Sequence, residues 1–145
     1  MKPAAKAGIE EELRAALEAR GHRFTAQRAA VYSYLRGVTT HPTADEIFRH
    51  VREAIPDISL ATVYKALEAF VSAGAAHKLE FGSGPARYDG RTDDHDHTRC
   101  LKCGIVRDAV GDRDSEFSPE PITQDGFRVV SYRLELLGYC PACRN

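Results

Sequence analysis

Two Cys-x-x-Cys pairs, Cys100/Cys103 and Cys140/Cys143, constrain this 145-residue chain more than any other feature; the 36 residues from Gly104 through Tyr139 separate them. Thiolates are soft donors, and four of them close a tetrahedral shell around Zn²⁺ with no open coordination position, so such a site is structural rather than catalytic. In a reducing compartment this spacing favours metal over disulfide, and two matched pairs are unexpected for a redox-active dithiol. A structural Zn²⁺ contributes on the order of 10 kcal/mol to folding. The segment of roughly 50 residues that carries the cysteines needs that contribution, because a module of this size buries too little surface to fold on its own core.

A harder donor set lies beside the first pair. The stretch DGRTDDHDHTRCLKCGIVRD, from Asp89 to Asp108, places His95 and His97 two residues apart, with an aspartate at each end. On an extended strand such residues share a face, so both imidazoles can meet one ion. Imidazole mixed with carboxylate suits Fe²⁺, Mn²⁺ or Zn²⁺. From the residues alone, Asp89 and Asp108 read equally well as solvated loop charges.

Upstream, apolar periodicity and capping residues predict four helices. IEEELRAALEAR, residues 9–20, spaces Ile9, Leu13, Ala16 and Leu17 helically behind an acidic first turn, and Gly21 follows. Thr25 caps AQRAAVYSYLR; Thr43, with Glu46 at the reciprocal capping-box position, opens the third helix; Ser59 caps LATVYKALEAFVSAG. AAHKLEF and ARYDG then flank GSGP and read as a β-hairpin. Helices ending in a helix-turn-helix and followed by a two-stranded ribbon are the plan of a winged helix, whose last helix enters the DNA major groove. After Asp93, TRCLKCGIVRDAV and GFRVVSYRLELLGYC read as strands, whereas GDRDSEFSPEPITQD, with Pro119 and Pro121, allows at most a short helix. The expected class is α+β: a winged helix over residues 1–90, then a small α/β domain over 91–145 carrying the four-cysteine zinc site.

Hydrophobic residues make up 43% of the chain and the net charge is −1. Twelve basic and eleven acidic side chains lie in residues 1–90, eight and ten in 91–145, so no global basic field exists and DNA binding needs a local patch presented by two oriented copies. No apolar run approaches the roughly 20 residues that span a bilayer, and the start lacks the apolar block of a signal peptide, so a cytoplasmic protein without membrane contact is expected. A zinc hydrolase or deaminase would need an open metal position and a general base; the His-x-Glu motif of zinc deaminases is missing, since His-Asp-His is followed by Thr98. No enzymatic activity is expected. A zinc-stabilised adaptor that does not bind DNA is a further alternative.

The segments GHRFTAQR, HPTADEIF, ISLATVYKALEAF, ARYDG, DDHDHTRCLKCG and GFRVVSYRLELLGYCPAC, in this order, resemble the ferric uptake regulator family of metal-dependent repressors. The resemblance covers almost the whole chain. It implies a winged-helix DNA-binding domain, a C-terminal dimerisation and metal-binding domain, and a homodimer on an inverted-repeat operator in double-stranded DNA. It assigns Cys100, Cys103, Cys140 and Cys143 to the structural zinc, and His41, Asp89, His95, His97 and Asp108 to a regulatory site for Fe²⁺ or Mn²⁺.

Asp108, where iron-uptake repressors more often carry glutamate, resembles the peroxide-response branch, in which bound iron and H₂O₂ oxidise a ligating imidazole, here His41 or His95. Ser131 and Tyr132 stand where iron-uptake regulators tend to place a histidine of an extra site, which leans the same way. The alternative is an iron-uptake or Fe/Mn-responsive repressor without a peroxide response. For DNA, the resemblance implies Arg23 at the minor groove or phosphates, Ser59 and Thr62 at phosphates, and Tyr64, followed by Lys65, on the recognition helix. Lys65-Ala66 departs from the polar pair common after that tyrosine, and Ser118-Pro119-Glu120-Pro121 departs from an unbroken helix.

Overall fold

The computed structural model describes residues 3–80, 84–93, 95–109, 122–130 and 134–145, without the side chains of residues 3 and 4. The chain divides into two compact units, one through Thr92 and one from Asp93.

The first unit is four helices and a ribbon: α1 (Pro3–Glu18), α2 (Ala26–Gly37), α3 (Ala44–Ala54), α4 (Leu60–Ser72), β1 (His77–Leu79) and β2 (Arg87–Asp89). Each helix boundary has a local chemical cause. Thr25 accepts from the Arg28 N–H, and Ser59 from the Thr62 N–H. Thr43 and Glu46 form both halves of a capping box. At the far ends, Gly21 (φ 75°) and Gly74 (φ 72°) take the left-handed turn that closes α1 and α4. The following N–H groups return to the helix, His22 to the Leu17 carbonyl at 2.9 Å and Ala75 to the Phe70 carbonyl at 2.8 Å.

Helix α1 corrects one expectation. It starts at Pro3 rather than near residue 9, so its first turn contains no acid and Glu10 to Glu12 sit mid-helix. The Ala- and Lys-rich residues before Ile9 are strong helix formers and extend the helix toward the N-terminus.

The core of this unit joins Leu13 and Leu17 of α1, Val31, Tyr32 and Leu35 of α2, Ile47 and Val51 of α3, and Val63, Leu67 and Phe70 of α4. Tyr32 and Phe70 meet edge to face, with ring centroids 5.3 Å apart. Strands β1 and β2 pair antiparallel, His77 opposite Asp89 and Leu79 opposite Arg87, and buried Tyr88 seats the ribbon on the core. The expected hairpin is therefore present with strands of three residues each; Gly82 and Ser83 of its expected turn lie outside the described residues. Just past β2, a Cβ on Gly90 would stand 3.2 Å from the Leu35 carbonyl oxygen, so a larger residue there requires the end of α2 to give by a few tenths of an ångström.

The second unit holds a three-stranded sheet in the order β4-β3-β5, formed by β3 (His97–Cys100), β4 (Val106–Asp108) and β5 (Glu135–Gly138). β3 pairs antiparallel with β4 and parallel with β5. The stretch TRCLKCGIVRDAV, expected as one strand, is thus two strands folded about the first Cys-x-x-Cys. Gly104 makes the reversal at φ 76°, donating to the Cys100 carbonyl at 2.9 Å. Among the described residues of GFRVVSYRLELLGYC, only β5 is a strand, with Arg128 in an isolated bridge to Ile122. The Pro119/Pro121 break, Ser131 and Tyr132 lie outside the described residues.

Among the described residues of this unit, only Cys100 and Val106 are buried apolar side chains, while Leu101, Ile122, Phe127, Val130, Leu136, Leu137 and Tyr139 are exposed. The architecture is α+β, a winged helix followed by a small sheet domain with two buried apolar side chains among its described residues.

Candidate metal centre

Strand pairing assembles the cysteine site. Cys100 closes β3 opposite Gly138 of β5, which carries the chain into Cys140, and the turn at Gly104 folds Cys103 back beside them. The four Sγ atoms lie within 4.8 Å of one another, with Cys103 and Cys140 at 3.8 Å. A tetrahedral zinc with bonds of about 2.3 Å to sulfur has edges of about 3.8 Å. Donor type, number and spacing therefore fit Zn²⁺ in a closed shell.

The electrostatics point the same way. Backbone N–H groups, that of Cys103 first and Cys140 second, hold the Cys100 thiol down at about 6, so it is a thiolate at neutral pH. Cys143 is pushed up to about 12, chiefly by its hydrogen bond with Cys140 and by desolvation. The cluster thus keeps one sulfur charged and another protonated, and a divalent cation would relieve the crowding of thiolates.

The first unit contributes a buried His–Asp pair. His41 Nδ1 stands 3.7 Å from Asp89 Oδ2, and the two residues are 2% and 5% exposed. Asp89 Oδ1 accepts from the Arg91 N–H at 2.9 Å, which orients Oδ2 toward the imidazole. His41 is the one non-glycine among the described residues with a positive φ, 49°. Its carbonyl accepts from Arg87 Nη1 at 3.1 Å.

The second unit contributes three donors. His97 lies opposite Asp108 in the β3–β4 register, and His95 lies just ahead of β3. Asp108 Oδ1 stands 3.1 Å from His95 Nε2 and 3.6 Å from His97 Nε2, and the two rings are 4.6 Å apart. His95 Nδ1 lies 2.7 Å from the Asp93 carbonyl. A carbonyl only accepts, so Nδ1 donates and Nε2 is the ring nitrogen that faces the carboxylate. Two imidazoles and one carboxylate are the facial set associated with Fe²⁺, and cis donors at bonds of about 2.1 Å lie about 3 Å apart. The residues fit an Fe²⁺- or Mn²⁺-type ion, with coordination positions left for further ligands.

The residues expected to meet DNA all lie in the first unit. Tyr64, 41% exposed, and Lys65 stand on the outer side of α4. Ser59 and Thr62 share a hydroxyl contact of 2.8 Å at the start of that helix. Arg23 is exposed, and its carbonyl accepts from Arg28 Nη1 at 2.8 Å. Ala66, noted as a departure, is fully buried in the core, so the exposed part of that departure is Lys65 alone. Arg87, which sequence reasoning passed over, bonds a residue 46 positions away, and only its place in ARYDG hinted at a role.

Among the described residues no helix is long and apolar enough to cross a membrane. The chain is 36% identical to the peroxide-responsive repressor PerR of Staphylococcus aureus over 135 residues, covering 93% of this chain and 91% of the relative. Its fold matches the Helicobacter pylori ferric uptake regulator Fur, a protein with three functional metal binding sites, at a TM-score of 0.80 and 25% identity over 97% of this chain and 94% of that one. It also matches PerR of Streptococcus pyogenes, at 0.53 and 30% identity over 93% and 92% of the two chains. With residues 19–137 matching the family model as well, the chain belongs to the ferric uptake regulator family of metal-responsive regulators.

Proposed function

We propose that the protein is a homodimeric, metal-dependent transcriptional repressor whose regulatory ion is shared by His41, Asp89, His95, His97 and Asp108. Residues 1–90 bind an inverted-repeat operator, through Arg23, Ser59, Thr62, Tyr64 and Lys65. Residues 91–145 dimerise and hold zinc on Cys100, Cys103, Cys140 and Cys143. The observation that carries this reading is that each unit presents an incomplete donor set, two residues in the first and three in the second. Together they suffice for the five or six positions that Fe²⁺ or Mn²⁺ favours. Because all five side chains can bind one ion only when the units are brought together, metal shifts the population toward the DNA-competent arrangement.

The peroxide response rests on Asp108 and on the similarity to the repressor PerR of Staphylococcus aureus. Iron held by these residues would supply the redox chemistry by which hydrogen peroxide gives one oxygen atom to a ligating imidazole and leaves as water. His41 and His95 are the imidazoles whose gain of that oxygen atom would remove a ligand and release DNA. Mn²⁺ supports repression without that sensitivity. The likeness in fold to the Helicobacter pylori ferric uptake regulator favours a second reading, an iron-uptake or Fe/Mn-responsive repressor with no peroxide response.

The test loads the zinc-containing protein with Fe²⁺ or Mn²⁺, adds H₂O₂, and follows operator binding together with the masses of the peptides holding His41 and His95. The peroxide reading expects DNA release and one added oxygen in the iron form only. Iron-loaded protein that keeps both its operator and its mass establishes the second reading instead.

A further inference from the structure

We infer that Arg87 is a positioning residue that sets the spacing between His41 and Asp89, an inference that rests on the reading of those two as regulatory ligands. His41 stands at φ 49° immediately before Pro42, where an ordinary residue is extended, and it is buried. A side chain in that conformation stays there only when its surroundings hold it. Arg87 Nη1 donates to the His41 carbonyl at 3.1 Å and lies 3.8 Å from Glu46 Oε2. The same Oε2 accepts from the Thr43 N–H at 3.1 Å, so one carboxylate caps α3 and steadies the guanidinium. Around it, the Tyr88 N–H donates to the Pro42 carbonyl at 2.9 Å, and Thr43 bridges to Arg87 in an antiparallel pair.

Arg87 and Asp89 are two apart on β2 and so share one side of the strand. The strand that carries one ligand therefore also carries the group that fixes the backbone of the other. Without the guanidinium, His41 is released toward the extended region and its imidazole leaves Asp89. Both contacts run from the one nitrogen Nη1, so lysine, which preserves the charge on a shorter and more flexible stem, keeps them only in part.

The experiment measures Mn²⁺ affinity of the zinc-loaded full chain by titration, with zinc content, thermal melting without Mn²⁺, and operator affinity at saturating Mn²⁺ alongside. Arg87→Met is expected to weaken Mn²⁺ binding by roughly 10- to 100-fold, the range typical of groups that orient a metal ligand. Zinc content and operator affinity at saturating Mn²⁺ stay at parent values, and Arg87→Lys recovers part of the loss. A purely structural role would instead lower melting and leave the affinity of the folded protein alone. A change in Mn²⁺ affinity below about threefold in folded Arg87→Met overturns the inference.

Should Arg87→Met fail to fold, Glu46→Gln decides the matter, since glutamine preserves the capping box but removes the ion pair. It is expected to weaken Mn²⁺ binding, and parent affinity there overturns the inference. His41→Ala separates the two levels. If it leaves Mn²⁺ affinity unchanged, the ligand assignment itself falls; if it weakens binding and the Arg87 variants do not, only the positioning role falls.

Discussion

Replacing Cys100 with serine is expected to unfold the second unit and spare the first. The magnitudes come from the contrast between the two cores. Among its described residues the second unit buries only Val106 and Cys100 as apolar side chains, and burying a valine is worth about 1.5–3 kcal/mol. A structural zinc contributes about 10–16 kcal/mol, several times more. The sulfur lost is also the one the backbone holds as a thiolate, so its loss removes the donor best prepared for the metal. The first unit has twelve side chains larger than alanine in its own core, from Leu13 to Tyr88, and all four described helices.

Hydrogen exchange by peptide is the assay. In Cys100→Ser, protection should vanish from the peptides spanning β3, β4 and β5 and persist in those spanning α2, α3 and α4, with helical circular dichroism nearly unchanged and zinc absent. A Cys100→Ser protein that retains stoichiometric zinc and protected β3 amides would refute the reasoning. So would loss of protection throughout the chain, since the helical unit would then depend on the zinc.

Two further expectations test local chemistry. Thr43→Ala removes the side-chain half of the capping box and should destabilise the first unit by about 1 kcal/mol, measured by urea unfolding, whereas Thr43→Ser should be nearly silent. The Cys100 value lies below that of an unfolded thiol, about 8.5, so its contribution to the stability of the second unit is complete above that pH and is lost as pH falls through about 6. Apparent zinc affinity of the full chain should therefore fall on acidification through that range, and an affinity that does not change there would contradict the assigned hydrogen bonds.

Features that depend on neighbours in the chain were legible in the sequence. Thr25, Thr43 with Glu46, and Ser59 each cap a helix through an N–H three residues away, so spacing alone reveals them. The cysteine pairs were equally plain, because ligand identity and count nearly fix the metal. What escaped depends on long-range contact. The left-handed backbone of His41 is held by Arg87, far off in the chain, and no local pattern announces it. The break between β3 and β4 escaped for another reason: Gly104 sits in an otherwise apolar run, and the reversal follows from gathering Cys103 toward Cys140. The start of α1 was missed because Glu10 to Glu12 resemble the acidic opening of a helix, although the alanines before them continue it.

The claim on which the rest depends is that one ion takes imidazole nitrogens from both units. Pulsed electron paramagnetic resonance of Mn²⁺-loaded, ¹⁵N-histidine-labelled protein counts those nitrogens directly. The assignment of His41, His95 and His97 expects three coupled imidazoles in the parent and one fewer in His41→Ala. The same count in both proteins would mean that His41 is not a ligand, and the proposed link between metal and DNA would be gone.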